Sequence, residues 1–286
     1  MASKADLRRR IRSVKSTQQI TKAMKMVAAA KLRRAQAAIT QARPYAAALS
    51  GMLASLAIHA DSRRAPLLAR RDEHRVTLVV VTGDKGLCGA FNSNVLRQAH
   101  TLLTGGRWPQ VDLVVVGRKG SEFFKHRGFV PTAAHPDAMH SVRAADASSL
   151  ARALTHGFLA GKADAVHVVY TQFRSVIQQH IAVEQLLPVA PPEGVEAPGG
   201  DLLFEPSPQA LLAALVPREV EFHMLRMMLD SQAAEHASRM TAMSAAAKNA
   251  GEMIDRLTLT YNRVRQATIT KELIEIVSGA QALADR

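Results

Sequence analysis

A chain of 286 residues, 48% of them hydrophobic, can bury a substantial core, which excludes wholesale disorder. The formal net charge of +13 favours a polyanion, a membrane surface or an acidic protein as a partner. The only cysteine, Cys88, excludes an intramolecular disulfide and is typical of a reducing compartment.

The positive charge is concentrated at the N-terminus. Residues 1–45 contain twelve basic residues and one acid, Asp6, so this segment alone carries +11. The opening letters MASKADLRRR lack the apolar core of a secretory signal, and no apolar run approaches the length of about 20 residues that spans a bilayer. An arginine-rich N-terminus can be a transit peptide, but helical periodicity continues through this one, which favours a structural element.

The first predicted element is a helix over residues 1–58, which contains only two helix breakers, Pro44 and Gly51. Hydrophobic residues recur with the heptad spacing of a coiled-coil seam. Pro44 removes one backbone hydrogen bond and is expected to bend the helix. Twelve of the fifteen seam positions are apolar, and the other three form a polar interruption near the basic end. The seam consists of Leu7, Ile11, Val14, Gln18, Thr21, Lys25, Ala28, Leu32, Ala35, Ile39, Ala42, Ala46, Leu49, Leu53 and Leu56.

After a connector at residues 59–73, the segment 74–189 is predicted to form a small α/β domain. Its strands and helices alternate, which predicts a mostly parallel, Rossmann-like sheet. A further strand within Ser175–Leu186 is expected to form a hairpin edge. The predicted strands are Arg75–Thr82, Val111–Gly117 and Ala165–Tyr170, and the predicted helices are Asn92–Leu103, Lys119–His126 and Ser148–Leu159.

A proline- and glycine-rich linker at residues 190–206 leads to a second long helix at residues 207–286. Ser207 followed by Pro208 is typical of a helix start, whereas Pro217 is expected to kink or briefly break the helix. Two long seams that flank a globular insert predict an antiparallel intramolecular coiled coil of the N- and C-terminal helices. Ten of the twelve positions of the second seam are apolar: Leu229, Ala233, His236, Met240, Met243, Ala247, Ala250, Ile254, Leu257, Tyr261, Val264 and Thr268.

The stretch TGDKGLCGAFNSN, from Thr82 to Asn94, lies between a predicted strand and a predicted helix, where phosphate-binding loops occur. Its glycines lack the spacing of a dinucleotide-binding motif, and its lysine lacks the context of a P-loop. A tight strand-to-helix turn is therefore favoured over a phosphate site. Cys88 within it is favoured as a small buried side chain over a nucleophile.

The remaining titratable residues show no catalytic or metal-binding pattern. His135 and His140 lack metal-ligand spacing with cysteines or carboxylates, and His236 falls on the second seam, where a packed histidine is favoured. Paired carboxylates and nucleophile–base arrangements are absent from the sequence pattern. We therefore expect no catalytic site, no metal and no cofactor.

Several stretches resemble ATP synthase gamma subunits, in the same order and over nearly the whole chain. ITKAMKMVAAAKLRRAQ (20–36) and RPYA (43–46) resemble the N-terminal helix of that family, and GDKGLCGAFNSNV (83–95) resembles its strand–loop–helix element. NRVRQATITKELIEIVSGA (262–280) resembles its C-terminal signature. The resemblance implies a non-catalytic rotor shaft that couples ion-driven rotation of a membrane ring to conformational cycling of the catalytic beta subunits.

The resemblance also implies partners and a location. Three alpha and three beta subunits would surround the shaft, while the epsilon subunit and the membrane c-ring would contact the α/β domain as a foot. Nucleic acid is not among the expected partners. Because the chain starts directly at the shaft helix, we expect the bacterial form, peripheral to the membrane on the cytoplasmic face of the inner membrane.

Particular residues match contact positions of the family. Met24, Lys25 and Arg239 match positions at which the shaft meets acidic loops of the beta subunits, and Gln266 and Thr270 match contacts with catch loops higher in the ring. Two acids adjoin the catch-loop contact, and four aliphatic side chains after it are expected to sit in an apolar bearing. These residues are Glu272 and Glu275, and Leu273, Ile274, Ile276 and Val277.

Two other functions follow from the residues without the resemblance. A basic coiled coil that binds nucleic acid predicts salt-sensitive binding to DNA, but a DNA-reading basic helix forks away from its zipper, and this heptad begins inside the basic region. A small nucleotide-binding enzyme built on residues 74–189 predicts saturable nucleotide binding. Neither alternative accounts for a seam at both termini.

Overall fold

The computed structural model describes residues 3–59, 65–190 and 204–284, so parts of the predicted connector (60–64) and linker (191–203) lie outside the described residues. Long helices form both ends of the chain, with 56 and 77 residues, and a sheet lies between them in sequence. The elements are α1 (Lys4–His59), β1 (Arg75–Val81), α2 (Phe91–Thr104), β2 (Gln110–Val116), α3 (Arg118–His126), β3 (Ala133–His135), α4 (Ala144–Leu159), β4 (Ala165–Phe173), β5 (Gln179–Leu187) and α5 (Pro208–Ala284).

The chain divides into two units, each of which contains part of α1 and part of α5. We call Met1–Val27 with Met240–Arg286 the terminal unit, and Ala28–Arg239 the central unit. The predicted fold class, long N- and C-terminal helices with an inserted Rossmann-like α/β sheet, is confirmed.

In the terminal unit, the two helices pack along the predicted seams. Leu7 on α1 and Met243 on α5 are buried, and the five seam positions of α5 from Ile254 to Thr268 are all half-buried. The polar interruption is accommodated by hydrogen bonds, because the Gln18 side-chain amide donates to the Ala247 carbonyl at 3.3 Å. This contact fixes which turns of α1 and α5 face each other, a register that the sequence did not determine.

One predicted seam position in the terminal unit is wrong. Lys25 is exposed, and the neighbouring Met24 is half-buried in its place. Burying an ammonium group without a partner is costly, whereas the methionine thioether packs at little cost. At this turn Met24 therefore takes the seam position predicted for Lys25, and the predicted positions apply again from Ala28.

The sheet of the central unit has the strand order β3-β2-β1-β4-β5. β1 pairs in parallel with β2 and β4, β2 pairs in parallel with β3, and β5 closes the edge antiparallel to β4. β3 was not predicted, since it has only three residues and none of them is buried. α4 begins four residues before its predicted start, where Arg143 binds both carboxylate oxygens of Asp146 at 2.8 Å in the first turn.

Helices cover both faces of the sheet, which explains its unbroken apolar strands. Alternate residues of β1 point to opposite faces, so Val79 and Val81 join a core with α1, α4 and α5, while Leu78 and Val80 join a core with α2 and α3. The two long helices run antiparallel in this unit: the Tyr45 ring of α1 contacts the Phe222 ring of α5, with centroids 5.4 Å apart and planes tilted by 54°. Lys31, earlier on α1, lies in the electrostatic environment of His236, later on α5.

Pro44 and Pro217 lie inside continuous helices, so α5 is not broken at Pro217, while the bends expected at the two prolines stay predictions. Val216 and Val220 beside Pro217 are buried in the core, and their packing holds this turn in place. The residue whose carbonyl loses its helical donor is Ala213, which is exposed and can bond water instead.

Candidate functional site

The terminal unit presents an uncompensated positive surface along α1. Eight exposed cations lie between residues 4 and 25, against a single acid, Asp6, which pairs with Arg9 at 2.7 Å. Like charges at this density repel one another, and an acidic partner would reduce that repulsion. Of the predicted contact residues, Lys25 lies on this exposed surface, and Met24 is half-buried beside it. The cations are Lys4, Arg8, Arg9, Arg10, Arg12, Lys15, Lys22 and Lys25.

Near its C-terminus, α5 exposes large aliphatic side chains. Every residue from 271 to 278 is exposed, and Leu273, Ile274, Ile276 and Val277 expose 56%, 60%, 68% and 65% of their surfaces. Burying an aliphatic side chain of this size contributes roughly 1.5–3 kcal/mol, so four exposed ones within five residues make this segment a candidate partner-binding surface.

The predicted polar contact residues adjoin this aliphatic segment. Gln266, Thr270 and Glu272 are exposed, and Glu275 is exposed while it pairs with Lys271 at 3.5 Å. The terminal unit therefore presents hydrogen-bonding groups next to the aliphatic ones, all on α5.

The central unit holds the predicted contact residue Arg239 largely buried. Its side chain is only 12% exposed, and its guanidinium donates to the Glu235 carboxylate at 2.6 Å and to the Gly86 carbonyl at 3.2 Å. Arg239 thus anchors the glycine-rich loop instead of presenting its charge to solvent.

The loop that Arg239 anchors exposes residues that the sequence pattern did not single out. Lys85 is exposed, and Leu87 is 65% exposed with a φ of 62°. A leucine in the left-handed region is strained, and such strain is found at functional sites. A glycine-rich loop after a strand was the only signal in the sequence, and the sequence alone does not show which of its side chains face outward.

The crevice in which Rossmann-like folds bind ligands is filled by α5. In the strand order observed here, that crevice lies at the carboxyl ends of β1 and β4, next to Gly83. A Cβ atom on Gly83 would lie 2.9 Å from the Glu235 side-chain carboxyl carbon. The largely buried Glu235 side chain therefore lies against Gly83 at this crevice, and its carboxylate would repel a phosphate that approached there. Gly83 permits this approach, which supports the structural interpretation of the glycine-rich stretch.

Further hydrogen bonds tie the loop to the sheet. The Asp84 carboxylate accepts from the backbone N–H groups of Arg118 and Asp137, both at 3.0 Å, and so links the ends of β1, β2 and β3. The Thr82 hydroxyl accepts from the Gly120 N–H at 2.9 Å. These bonds make the loop a rigid platform.

Burial shifts the protonation of several groups around α5. It raises the pKa of Glu235, against the opposing effect of Arg239, and it raises the pKa of Asp230 to about 6. Burial and the nearby Arg239 and Lys31 lower the pKa of His236 to about 4, so this packed histidine is neutral at pH 7. Burial also raises the pKa of the Cys88 thiol, which disfavours a nucleophilic thiolate.

The described part of the chain has neither a cluster of metal-ligating side chains nor a membrane-spanning helix. Among residues 3–59, 65–190 and 204–284, no three His, Cys, Asp or Glu side chains converge as a metal site does. Over the same residues, no helix has both the length and the apolar character needed to cross a membrane.

These features define a helical interaction subunit of a larger assembly. A family model described as ATP synthase matches residues 3–283. The ATP synthase gamma chain of Chlorobaculum parvum is 48% identical over 290 residues, which cover 99% of both chains, and that of Moorella thermoacetica is 47% identical over 283 residues, with 99% of this chain and 100% of the relative covered. The chain therefore belongs to the ATP synthase gamma chain family, and the resemblance found in the sequence is confirmed.

Solved structures share the fold of this chain. The central stalk and c-ring structure of the Tetrahymena thermophila mitochondrial ATP synthase contains a chain that is 26% identical, with a TM-score of 0.61, and the match covers 79% of this chain and 99% of that one. A chain of the Euglena gracilis mitochondrial ATP synthase, 20% identical with a TM-score of 0.65, shares the fold over 97% of this chain and 93% of its own length.

Proposed function

We propose that this chain is the central rotor shaft of an F-type ATP synthase. It couples ion-driven rotation of the membrane c-ring to conformational cycling of the catalytic beta subunits, and it has no catalytic site of its own. The observation that carries the proposal is the full-length match to gamma chains, which includes both long helices and the inserted sheet. The filled crevice beside Gly83 further argues against a nucleotide-binding enzyme.

The positive surface of α1 is the face that meets acidic loops of the beta subunits. Lys25 is exposed there, and the eight cations are opposed by a single acid, so an approaching acidic loop lowers the repulsion among them. The same basic segment is paired within its own chain through Gln18 and Ala247, which disfavours a DNA-reading helix that forks away from its zipper.

The exposed C-terminal segment of α5 is the upper bearing. Leu273, Ile274, Ile276 and Val277 turn against an apolar sleeve of the alpha–beta ring, and Gln266 and Thr270 meet its catch loops beside Glu272 and Glu275. Apolar surface lacks directional bonds, so it allows rotation with little resistance, while the polar residues supply angle-dependent contacts.

Arg239 contributes to the contact with the acidic loops of the beta subunits indirectly, because it positions the glycine-rich loop that touches them. Its guanidinium holds the Lys85 and Gly86 carbonyls, at 3.5 and 3.2 Å, and the exposed Lys85 and Leu87 then touch the partner. Lys85→Gln in the assembled complex is expected to weaken coupling without changing the stability of the free chain. Arg239→Ala lowers the stability of the free chain itself.

Residues 74–189 form the foot, which contacts the epsilon subunit and the c-ring. The proposed domains are the N-terminal shaft helix at residues 1–58, a connector at 59–73, the foot at 74–189, a linker at 190–206 and the C-terminal shaft helix at 207–286. The complex is membrane-associated, and we assign this chain to the cytoplasmic face of the bacterial inner membrane as a peripheral subunit.

Co-expression with the alpha and beta subunits of the same organism, followed by native mass spectrometry, tests the proposal. We expect a complex of three alpha subunits, three beta subunits and one copy of this chain, and Arg97→Gln, a change on the exposed face of α2, is expected to assemble equally well. A chain that stays out of this complex and instead binds random DNA in a salt-dependent way would establish the nucleic-acid alternative.

A further inference from the structure

A cavity of about 240 Å³ lies in the central unit between α1, the end of β4 and α5. Its floor is apolar and includes Phe173, Phe222, Leu225 and Leu229. The RPYA stretch of α1 supplies one wall, since Arg43 and Ala46 both line the cavity. The proposed rotor function gives this cavity no role.

The rim of the cavity carries two guanidinium groups. Arg43 on α1 and Arg174 at the start of the β4–β5 hairpin turn are both exposed and both line the cavity. Within the ranges that the structure describes, neither arginine forms an ion pair, and the Arg174 Nε makes only a 3.4 Å hydrogen bond to the Gln172 side chain. A guanidinium without an ion-pair partner at the mouth of an apolar cavity is suited to a carboxylate or phosphate.

The third arginine of the cavity is already engaged. Arg226 donates to the Glu184 carboxylate at 2.6 Å, and Tyr170 donates to the other oxygen of the same carboxylate at 2.5 Å. Asp230, 7% exposed, lies deeper, in the field of Arg226, Arg43 and Glu184. Its negative charge opposes an anion in the cavity, and protonation removes that opposition.

We propose that this cavity binds a small monocarboxylate with an apolar tail, with the carboxylate on Arg43 and Arg174 and the tail on the phenylalanine and leucine floor. The volume lies below the roughly 300–1,000 Å³ of sites for drug-sized ligands, which limits the ligand to a short chain. The occupant contacts α1, the hairpin and α5 together, so it stabilises their packing in this unit.

Calorimetric titration of the full chain with octanoate tests the proposal. We expect one site per chain with a dissociation constant on the order of 10⁻⁴ M, the scale set by the small number of ligand atoms. Octylammonium and octanol carry the same tail with the opposite charge or none, and we expect neither to bind measurably at equal concentrations. Octanoate should also raise the melting temperature in proportion to site occupancy.

Substitutions of the cavity residues test whether octanoate binds in this cavity. Arg43→Gln is expected to weaken octanoate binding about tenfold, whereas Arg97→Gln, an exposed arginine on α2, leaves it unchanged. Asp230→Asn is expected to strengthen binding severalfold at pH 7.5 and to abolish the tighter binding otherwise expected below pH 6. If Arg43→Gln does not fold, Arg174→Gln replaces it, because that residue lies in an exposed turn.

Three results would overturn the proposal. The first is the absence of saturable octanoate binding. The second is octylammonium binding as tight as that of octanoate, which would show that the arginines do not select the ligand. The third is an equal effect of Arg43→Gln and Arg97→Gln, which would show binding elsewhere on the surface.

Discussion

The ion pair between Arg239 and Glu235 gives a direct test of how the glycine-rich loop is held on α5. Both side chains are largely buried, at 12% and 6% exposure, and their nearest atoms are 2.6 Å apart. Arg239→Ala leaves the Glu235 carboxylate buried without a cation. Removing one partner of a buried pair costs about 3–5 kcal/mol, so we expect a loss of about 3 kcal/mol at pH 7 and a fall in melting temperature of roughly 6 °C or more.

The loss should depend on pH in a defined direction. Burial already raises the pKa of Glu235 above its unfolded value of 4.5, and removing Arg239 raises this pKa further. The folded variant then binds a proton that the unfolded chain has released, so its stability falls as pH rises above the unfolded pKa. We expect the deficit relative to the unsubstituted chain to be small near pH 4 and largest near pH 7.

Thermal unfolding followed by circular dichroism at pH 4 and pH 7 measures this deficit. Arg97→Ala, which removes an exposed arginine of α2, is the matched control and should change stability by less than about 0.5 kcal/mol. Adding Glu235→Gln to Arg239→Ala removes the buried charge and should recover about 2 kcal/mol. A deficit that is equal at both pH values, or a double variant no more stable than Arg239→Ala, would refute the argument.

Four further predictions concern other parts of the molecule. Lys25→Glu in the assembled complex is expected to weaken coupling through repulsion of acidic partner loops, and unchanged ATP-driven proton pumping would contradict this. The purified chain is expected to lack ATPase activity, so turnover measured in a preparation free of other subunits would contradict the rotor assignment. Gly117→Ala places a Cβ 2.0 Å from the Thr82 carbonyl oxygen at a φ of 96° and should cost well over 2 kcal/mol in urea unfolding, whereas Gly128→Ala, at a φ of 78° in open space, should cost about 1 kcal/mol. Leu273→Ser should lower the melting temperature of the assembled complex but not that of the free chain, and equal effects on both would refute the bearing.

The sequence predicted elements whose burial has a strong period. The three-valine runs of β1 and β2 and the heptads of both long helices predicted most of the buried positions, because a regular apolar repeat indicates which face of an element is buried. β3 was not predicted because it has only three residues, none of them buried, and so carries no such pattern. Lys25 was placed on the seam because a strict repeat ignores the cost of burying an ammonium, which shifts the buried face to Met24.

The contacts of Arg239 could not all be predicted from the sequence, for a different reason. Glu235 lies four residues earlier, so the helical ion pair between the two had a local signal. The contact with Gly86 joins residues 153 positions apart, and nothing local indicates that α5 crosses the ends of β1 and β4. Contact positions matched by resemblance alone therefore identify only a region of the surface. The structure then shows which side chains in that region face solvent, as Lys85 and Leu87 do, and which hold the loop in place, as Arg239 does.

The crevice beside Gly83 indicates how a Rossmann-like sheet, which usually binds a ligand, can instead form part of a torque-transmitting subunit. Such sheets leave an open site at the carboxyl ends of their strands, and a ligand that binds there couples to loop movement. Here the chain's own helix supplies the anion, since the Glu235 carboxylate approaches Gly83 and Arg239 crosses to the loop carbonyls. An occupant that belongs to the same chain is always present at the crevice, which favours a loop that stays attached to α5. A torque-transmitting subunit needs that rigidity, because every loose contact between sheet and helix would absorb rotation before it reached a partner.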